Sequence, residues 1–318
     1  MVNRKIVCIG GGIGTVNLIK GLKSYLRDIA VIISMADDGG SSGRLRRLYN
    51  IAPPGDLVSC MAAFGNEKDS FLSKLLTYRF LGERYGKDED LGGQKLGNLI
   101  MVAMRDITGS FDQAIGLFQK TFGVKGVFLP ATIEDVSISA TTIEGKKIYG
   151  EEKIDLGKYS GKRILEKVYL EPRDAKTSPK VLSCIREADV IVAGPGDLYT
   201  TIMPVLIVKD IANELKRSEA LRIFVVNVAN KPFETKGYAV SDYINAVKRH
   251  LGVFPFDKVI VNNNFSVNIP KRYRYQYVTM ENSIEEPGIK IAAGDMVDEK
   301  FPIYHNSSKL AKTIVENI

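Results

Sequence analysis

The most restrictive feature of this chain is a device used twice, once at its start and once past its middle. Each time an apolar run of strand length passes through a glycine turn into apolar residues at helical spacing. Residues 5–9 read as a short buried strand, Gly10-Gly11-Gly12-Ile13-Gly14-Thr15 is the turn, and Val16, Ile19 and Leu22 recur with the period of a helix. Residues 30–35 read as the next strand, and this order of elements makes a parallel crossover unit. The device returns as a helix reaching Glu187, a strand at 190–193, the turn Gly194-Pro195-Gly196-Asp197-Leu198-Tyr199-Thr200-Thr201 and a helix over 203–217. A strand at 222–228, a helix ending near His250 and a strand at 258–261 continue the alternation, which predicts an α/β fold with a doubly wound, mostly parallel sheet. In such sheets ligands bind beyond the carboxyl ends of the strands, where the strand order reverses.

Two stretches depart from the alternation. Within residues 53–123, Leu57 to Phe64, Phe71 to Leu81 and Leu96 to Met104 carry apolar residues at helical spacing, and the stretch reads as a mostly helical insertion. Residues 136–174 read as a β-rich excursion, with a hairpin around the Glu144-Gly145 turn. The tail beyond Tyr273 mixes short β-like runs with Pro and Gly and ends in a helix over 309–315.

Composition removes several function classes. At 45 % apolar and 25 % charged residues, the 318-residue chain is ordinary for a folded globular protein. Its apolar runs are too short for a membrane helix and its start lacks the pattern of a signal peptide, so the expected location is the cytoplasm and no membrane partner is expected. Cys8, Cys60 and Cys184 are scattered and only His250 and His305 offer imidazole, which argues against a structural zinc site. A net charge of +7 is modest for this length and does not favour nucleic acid as a partner.

The chemistry is expected in three loops. The run from Gly10, Gly11 and Gly12 to Gly14 and Thr15 suits either close approach of a phosphate to a helix start or simply a tight turn; it is neither the dinucleotide fingerprint nor a triphosphate loop. In Ala36-Asp37-Asp38-Gly39-Gly40-Ser41-Ser42-Gly43-Arg44, two adjacent carboxylates must be solvated, metal-bound or hydrogen-bonded to ligand hydroxyls. Gly39, Gly40, Ser41 and Ser42 offer amides and hydroxyls to phosphate, and Arg44 and Arg46 are expected to clamp it. Asp37 and Asp38 alone are a weak magnesium site. In the third loop Gly194, Gly196, Asp197, Thr200 and Thr201 repeat the first device on another strand. Asp56, in the rigid turn Pro53-Pro54-Gly55-Asp56, is either a helix cap or a ligand-positioning group, a role also open to Asn98, Asn227, Asn230 and Glu234. No serine, histidine and acid arrangement assembles, so any general acid or base work falls to a carboxylate.

Taken in order, Gly10-Gly11-Gly12-Ile13-Gly14, the string from Ala36 through Arg44-Leu45-Arg46, Pro53-Pro54-Gly55-Asp56, Leu96-Gly97-Asn98-Leu99 and the loop from Gly194 to Thr201 resemble the YvcK family of gluconeogenesis factors. That family is related to the 2-phospho-L-lactate transferases, the CofD group. The resemblance runs from about Lys5 to Asn264. It implies one CofD-like domain over 1–318 with a three-layer α/β/α, Rossmann-like core, a cytoplasmic homodimer, and a crevice for a nucleotide or a nucleotide sugar such as a uridine-diphosphate sugar. It also implies a regulatory protein linked to carbon metabolism, cell shape and wall synthesis, with no established reaction. An alternative is a transferase that uses a nucleotide diphosphate donor with Mg2+, in which Asp37 or Asp38 is catalytic. A third reading is a structural or partner-binding protein without a ligand. The chain departs from the family's wording at Gln94, where histidine is usual, at Asp197, where serine is usual, and in the stretch from Asn227 to Thr235, which contains Lys231.

Overall fold

The computed structural model describes residues 2–65, 70–280 and 288–318. The chain opens with strand β1 (Val2–Gly10), helix α1 (Gly12–Leu22) and strand β2 (Leu26–Ile33). Helices α2 (Gly40–Tyr49), α3 (Gly55–Ala63), α4 (Ser70–Thr77), α5 (Leu96–Thr108) and α6 (Phe111–Phe122) precede β3 (Val127–Pro130). Then come β4 (Ser137–Thr142), β5 (Lys147–Tyr149), the short α7 (Glu151–Asp155) and β6 (Leu165–Glu171). Alternation resumes with α8 (Pro179–Arg186), β7 (Val190–Ala193), α9 (Met203–Leu206), α10 (Lys209–Arg217), β8 (Leu221–Val225) and β9 (Ala229–Asn230). The chain finishes with α11 (Val240–Leu251), β10 (Lys258–Asn262), β11 (Gln276–Tyr277), β12 (Lys290–Gly294) and α12 (Ser307–Val315).

Seven strands form one sheet in the order β12-β10-β8-β7-β1-β2-β3, and every pairing in it is parallel. A parallel sheet is covered on both faces, so the central parts of its inner strands are apolar runs rather than alternating. Val190, Ile191, Val192 and Ala193 are accordingly all buried. Helices flank the sheet, with α1 packed between α3 and α12, and α8 packed on α10. The β-rich excursion is a separate antiparallel sheet, β5-β4-β6, whose strand β6 alternates buried and accessible residues because only one of its faces is covered.

Strand order reverses at β1, which pairs with β2 on one side and with β7 on the other. Ile9 lies opposite Ala193, so the glycine turns after β1 and β7 emerge side by side. Their contact requires glycine: a Cβ on Gly14 would stand 2.3 Å from the Pro195 carbonyl oxygen.

Some boundaries differ from those expected. The second strand begins at Leu26, which pairs with Val2 of β1. The helix expected over 203–217 divides into α9 and α10, preceded by a wide turn at Leu198–Ile202 in which Asp197 O accepts from both Thr201 N and Ile202 N. The strand expected over 222–228 ends at Val225, which releases Asn227 toward the crevice. The tail supplies the edge strand β12, and α12 docks on α1.

Candidate functional site

A cavity of about 650 Å3 opens where the two glycine turns meet. The structure brings Gly11, Gly12 and Gly14 of the first loop, Asp37 and Gly39 of the second, and Gly196, Asp197, Thr200 and Thr201 of the third to its walls, together with Asp56 and Asn227. Gly12 holds φ +61°, and nothing lies within 4 Å of the Cβ it lacks, so the chain leaves open space there. Gly10 and Thr15 sit behind the wall, where Thr15 Oγ1 accepts from Gly11 N at 2.8 Å and would collide with a Cβ on Gly10. Gly194 (φ +81°) also serves the fold, since a Cβ on it would strike the Val225 carbonyl oxygen at 2.7 Å.

Several expected ligand groups are engaged elsewhere. Arg44 is fully buried, and its guanidinium donates to the carbonyls of Glu83, Gly92 and Asp90; it ties α2 to the 83–92 segment and is not a phosphate clamp. Arg46 pairs with Asp135 and donates to Val136 O at 2.6 Å. Asp38 gives both carboxylate oxygens to the first amides of α7, accepting from Glu152 N at 2.8 Å and Glu151 N at 3.0 Å, so it caps a helix instead of facing a metal. Ser42 Oγ accepts from Gly55 N at 2.8 Å, and Ser41 Oγ accepts from Arg79 at 3.1 Å. Gly40 packs under Arg84. Asn98 is buried in α5 with its side-chain amide unpartnered, and Asn230 bonds to Tyr238 O and the Tyr243 hydroxyl.

Three carboxylates that face the cavity, Asp37, Asp56 and Glu151, are perturbed. Burial pushes Asp37 up to about 7, and Asp56 nearby adds to the shift against the Gly39 amide and Arg84. Asp56 is not the cap of α3. It accepts from the Gly12 amide, and burial raises it despite the attraction of Lys95. Burial also lifts Glu151 well above the ordinary range, with Asp37 and Asp155 as further causes.

At the other end, Lys231 Nζ stands among three carboxylates, bonded to Asp155, to Asp197 Oδ2 at 2.6 Å and to Glu234 Oε1 at 3.4 Å. Burial opposes its charge, yet Asp197, Glu234 and Asp155 together hold its pKa well above the usual value. Glu234 in turn is pushed up to about 7 by burial, against the pull of Lys231. It also anchors the third loop, accepting from Tyr199 N at 3.0 Å and Thr200 Oγ1 at 2.7 Å. The Asp155, Asp197 and Glu234 oxygens lie within 4.8 Å of one another and can hold a divalent cation, provided the Lys231 ammonium leaves their midst. This group, not Asp37 with Asp38, is the acidic cluster that the fold assembles. Two departures from the family's wording, Asp197 and Lys231, are thus partners in one ion pair.

Sequence reasoning missed Arg79, Arg84, Tyr85 and Lys95 on the insertion, Glu151 and Asp155 on α7, and Tyr275, Tyr304 and His305 in the tail, all of which line the cavity. Only His305 carried a local signal, as one of two histidines. Burial pushes it down to about 4, so it is neutral at ordinary pH.

Comparison with known proteins agrees with this architecture. The family model described as 2-phospho-L-lactate transferase CofD matches residues 6–297. The gluconeogenesis factor of Bacillus subtilis (strain 168) is 37 % identical over 322 residues, covering 98 % of this chain and 97 % of that protein. The gluconeogenesis factor of Halalkalibacterium halodurans is 34 % identical over 322 residues, covering 99 % and 97 %. A crystal structure of a Bacillus halodurans protein superposes with a TM-score of 0.89 at 33 % identity, covering 99 % of this chain and 100 % of that one. Among the described residues no helix is long and apolar enough to cross a membrane. With matches along nearly its whole length in sequence and in fold, the chain belongs to the YvcK, or gluconeogenesis-factor, family, which is related to CofD.

Proposed function

We propose that the chain binds a nucleotide or nucleotide sugar in the cavity at the reversal of strand order and acts as a regulatory protein of the gluconeogenesis-factor type. The cavity itself carries the reading. Its volume of about 650 Å3 falls in the range of small-molecule sites, and it lies where open parallel sheets bind ligands. The open space at Gly12 lets a ligand approach the main chain closely. The names of the relatives support the metabolic half of the proposal. Calorimetric titration with uridine-diphosphate sugars, guanosine nucleotides and dinucleotides is expected to find micromolar or tighter binding for one of these classes. Absence of heat and of thermal stabilisation with all three would overturn it, because a ligand of the native state must raise the melting temperature.

The Asp37 and Asp56 pair favours a second reading, a transferase. Asp37, a half-buried carboxylate held at about 7, can accept the proton of an attacking alcohol. Bound at Asp155, Asp197 and Glu234, Mg2+ would supply charge neutralisation on a diphosphate donor. Transfer or donor hydrolysis is measured with magnesium and with chelator. Product formed equally by Asp37→Asn would remove Asp37 from any mechanism.

A further inference from the structure

Both glycine turns already hold carboxyl groups belonging to the chain itself. The Gly12 amide donates to Asp56, Tyr199 N and Thr200 Oγ1 donate to Glu234, and Gly196 N donates to Asn227 Oδ1 at 3.0 Å. A phosphate arriving at either turn meets a carboxyl group in its seat. The cations that could neutralise it are gathered elsewhere. Arg79, Arg84 and Lys95 line the cavity from one arm of chain, residues 78–96, whose ends are joined by a bridge between Arg79 and Lys95.

None of these three makes a salt bridge among the described residues. Arg79 donates to Ser41 Oγ and Gly93 O, and Lys95 donates to Ser59 Oγ at 2.7 Å. Arg84 has no hydrogen-bond acceptor among the described residues; its side chain lies over Gly40, where a Cβ would come within 2.6 Å of Nε, and beside the Tyr85 ring. Burial is the first cause lowering the pKa of both Arg79 and Lys95; Asp56 pulls Lys95 the other way, and the charge of Arg84 lowers each further. Cations that repel one another and form no salt bridge are stabilised further by an anion placed between them. The first turn of α2 adjoins them: it carries no acidic residue and no capping side chain, and the Gly40, Ser41 and Ser42 amides have no acceptor among the described residues.

We propose that Arg79, Arg84 and Lys95 are the seat of a phosphoryl group in this cavity, so that the diphosphate lies under the 78–96 arm and not on the glycine turns. This rests on the nucleotide reading above for the rest of the ligand, but not for the anion itself. The arm supplies the charge, and the glycine turns supply room.

The test is calorimetry of the full chain with inorganic pyrophosphate, uridine diphosphate and uridine, using wild type, Arg84→Ala, Arg84→Lys and Lys95→Met. Arg84 is exposed, so its replacement leaves folding intact, and an unchanged melting temperature verifies this. Arg84→Ala and Lys95→Met are expected to weaken pyrophosphate and uridine diphosphate by about tenfold or more, with Arg84→Lys recovering part of the loss and uridine little affected. Uridine diphosphate bound equally by wild type and both variants would overturn the seat while leaving the nucleotide reading standing. Pyrophosphate bound by wild type and lost in Arg84→Ala, with no nucleoside compound bound, would uphold the seat and overturn the nucleotide reading. Binding of neither by wild type overturns both.

Discussion

Asp38 gives its carboxylate to the amides of α7, while Asp37, one residue earlier, turns into the cavity and is pushed up to about 7 chiefly by burial. This has a consequence for stability whose sign is fixed. In the unfolded chain Asp37 loses its proton near its ordinary value of 3.8, whereas the folded protein keeps it to about 7. Stability therefore falls as pH rises across that window, and the cost is complete above it. Asp37→Asn, whose side-chain oxygen can still accept from Gly39 N, should be more stable than wild type at pH 8 by about 1–3 kcal/mol, and the gain should vanish near pH 4. Thermal melts of both proteins at the two pH values check this, and an equal gain at both would refute it. The residue types at the site were legible as loop carboxylates. Which of them would be buried was not, because burial depends on α3 and α7 folding over the loop. Asp197 and Lys231 likewise stood out singly in the sequence, but they are 34 positions apart and only the fold makes them an ion pair.

Among the elements, the 78–96 arm is where local reading failed most. It has neither helical nor alternating period, and its charges resemble an ordinary solvated loop. Its position is set by Arg44, a long buried cation whose guanidinium satisfies the carbonyls of Glu83, Asp90 and Gly92. A basic residue beside two serines and three glycines reads as a phosphate ligand. Its role as a strut emerges only when the arm is folded against α2. Arg44→Met keeps the apolar stem and removes these bonds, leaving the Asp90 and Gly92 carbonyls without this donor while Glu83 O keeps Gly86 N. It should cost about 2–4 kcal/mol in urea unfolding. The arm should also become a site of proteolytic cleavage, and pyrophosphate affinity should fall with it. An arm as resistant as in wild type would show that its position is set by other contacts. By contrast, β7 was legible because a strand buried on both faces must be apolar along its length, whatever its neighbours.

At the scale of the molecule, the end of the chain closes on its beginning. Helix α12 packs against α1 so closely that a Cβ on Gly21 would stand 2.0 Å from the Ser307 carbonyl oxygen. Gly21→Ala should force the helices apart, with a loss of about 1–3 kcal/mol and faster amide exchange in α12. Unchanged exchange there would refute the close approach. Tyr304 and His305, just before α12, reach the cavity only because this docking holds, and Asn17 Nδ2 donates to His305 O at 3.1 Å across the same junction. The sequence by itself determined the parallel sheet, the crossover helices and the two glycine turns, since strand apolarity, helical period and glycine at a tight turn are local requirements that each segment states on its own. Tertiary structure alone decided which charges face the cavity, that Glu234 bonds to the third loop, and that Arg44 is a strut while Arg84 lines the cavity. A charge's role depends on what stands within a few ångströms of it, and here those neighbours come from the insertion, from α7 and from the tail, distant in sequence and adjacent only after folding.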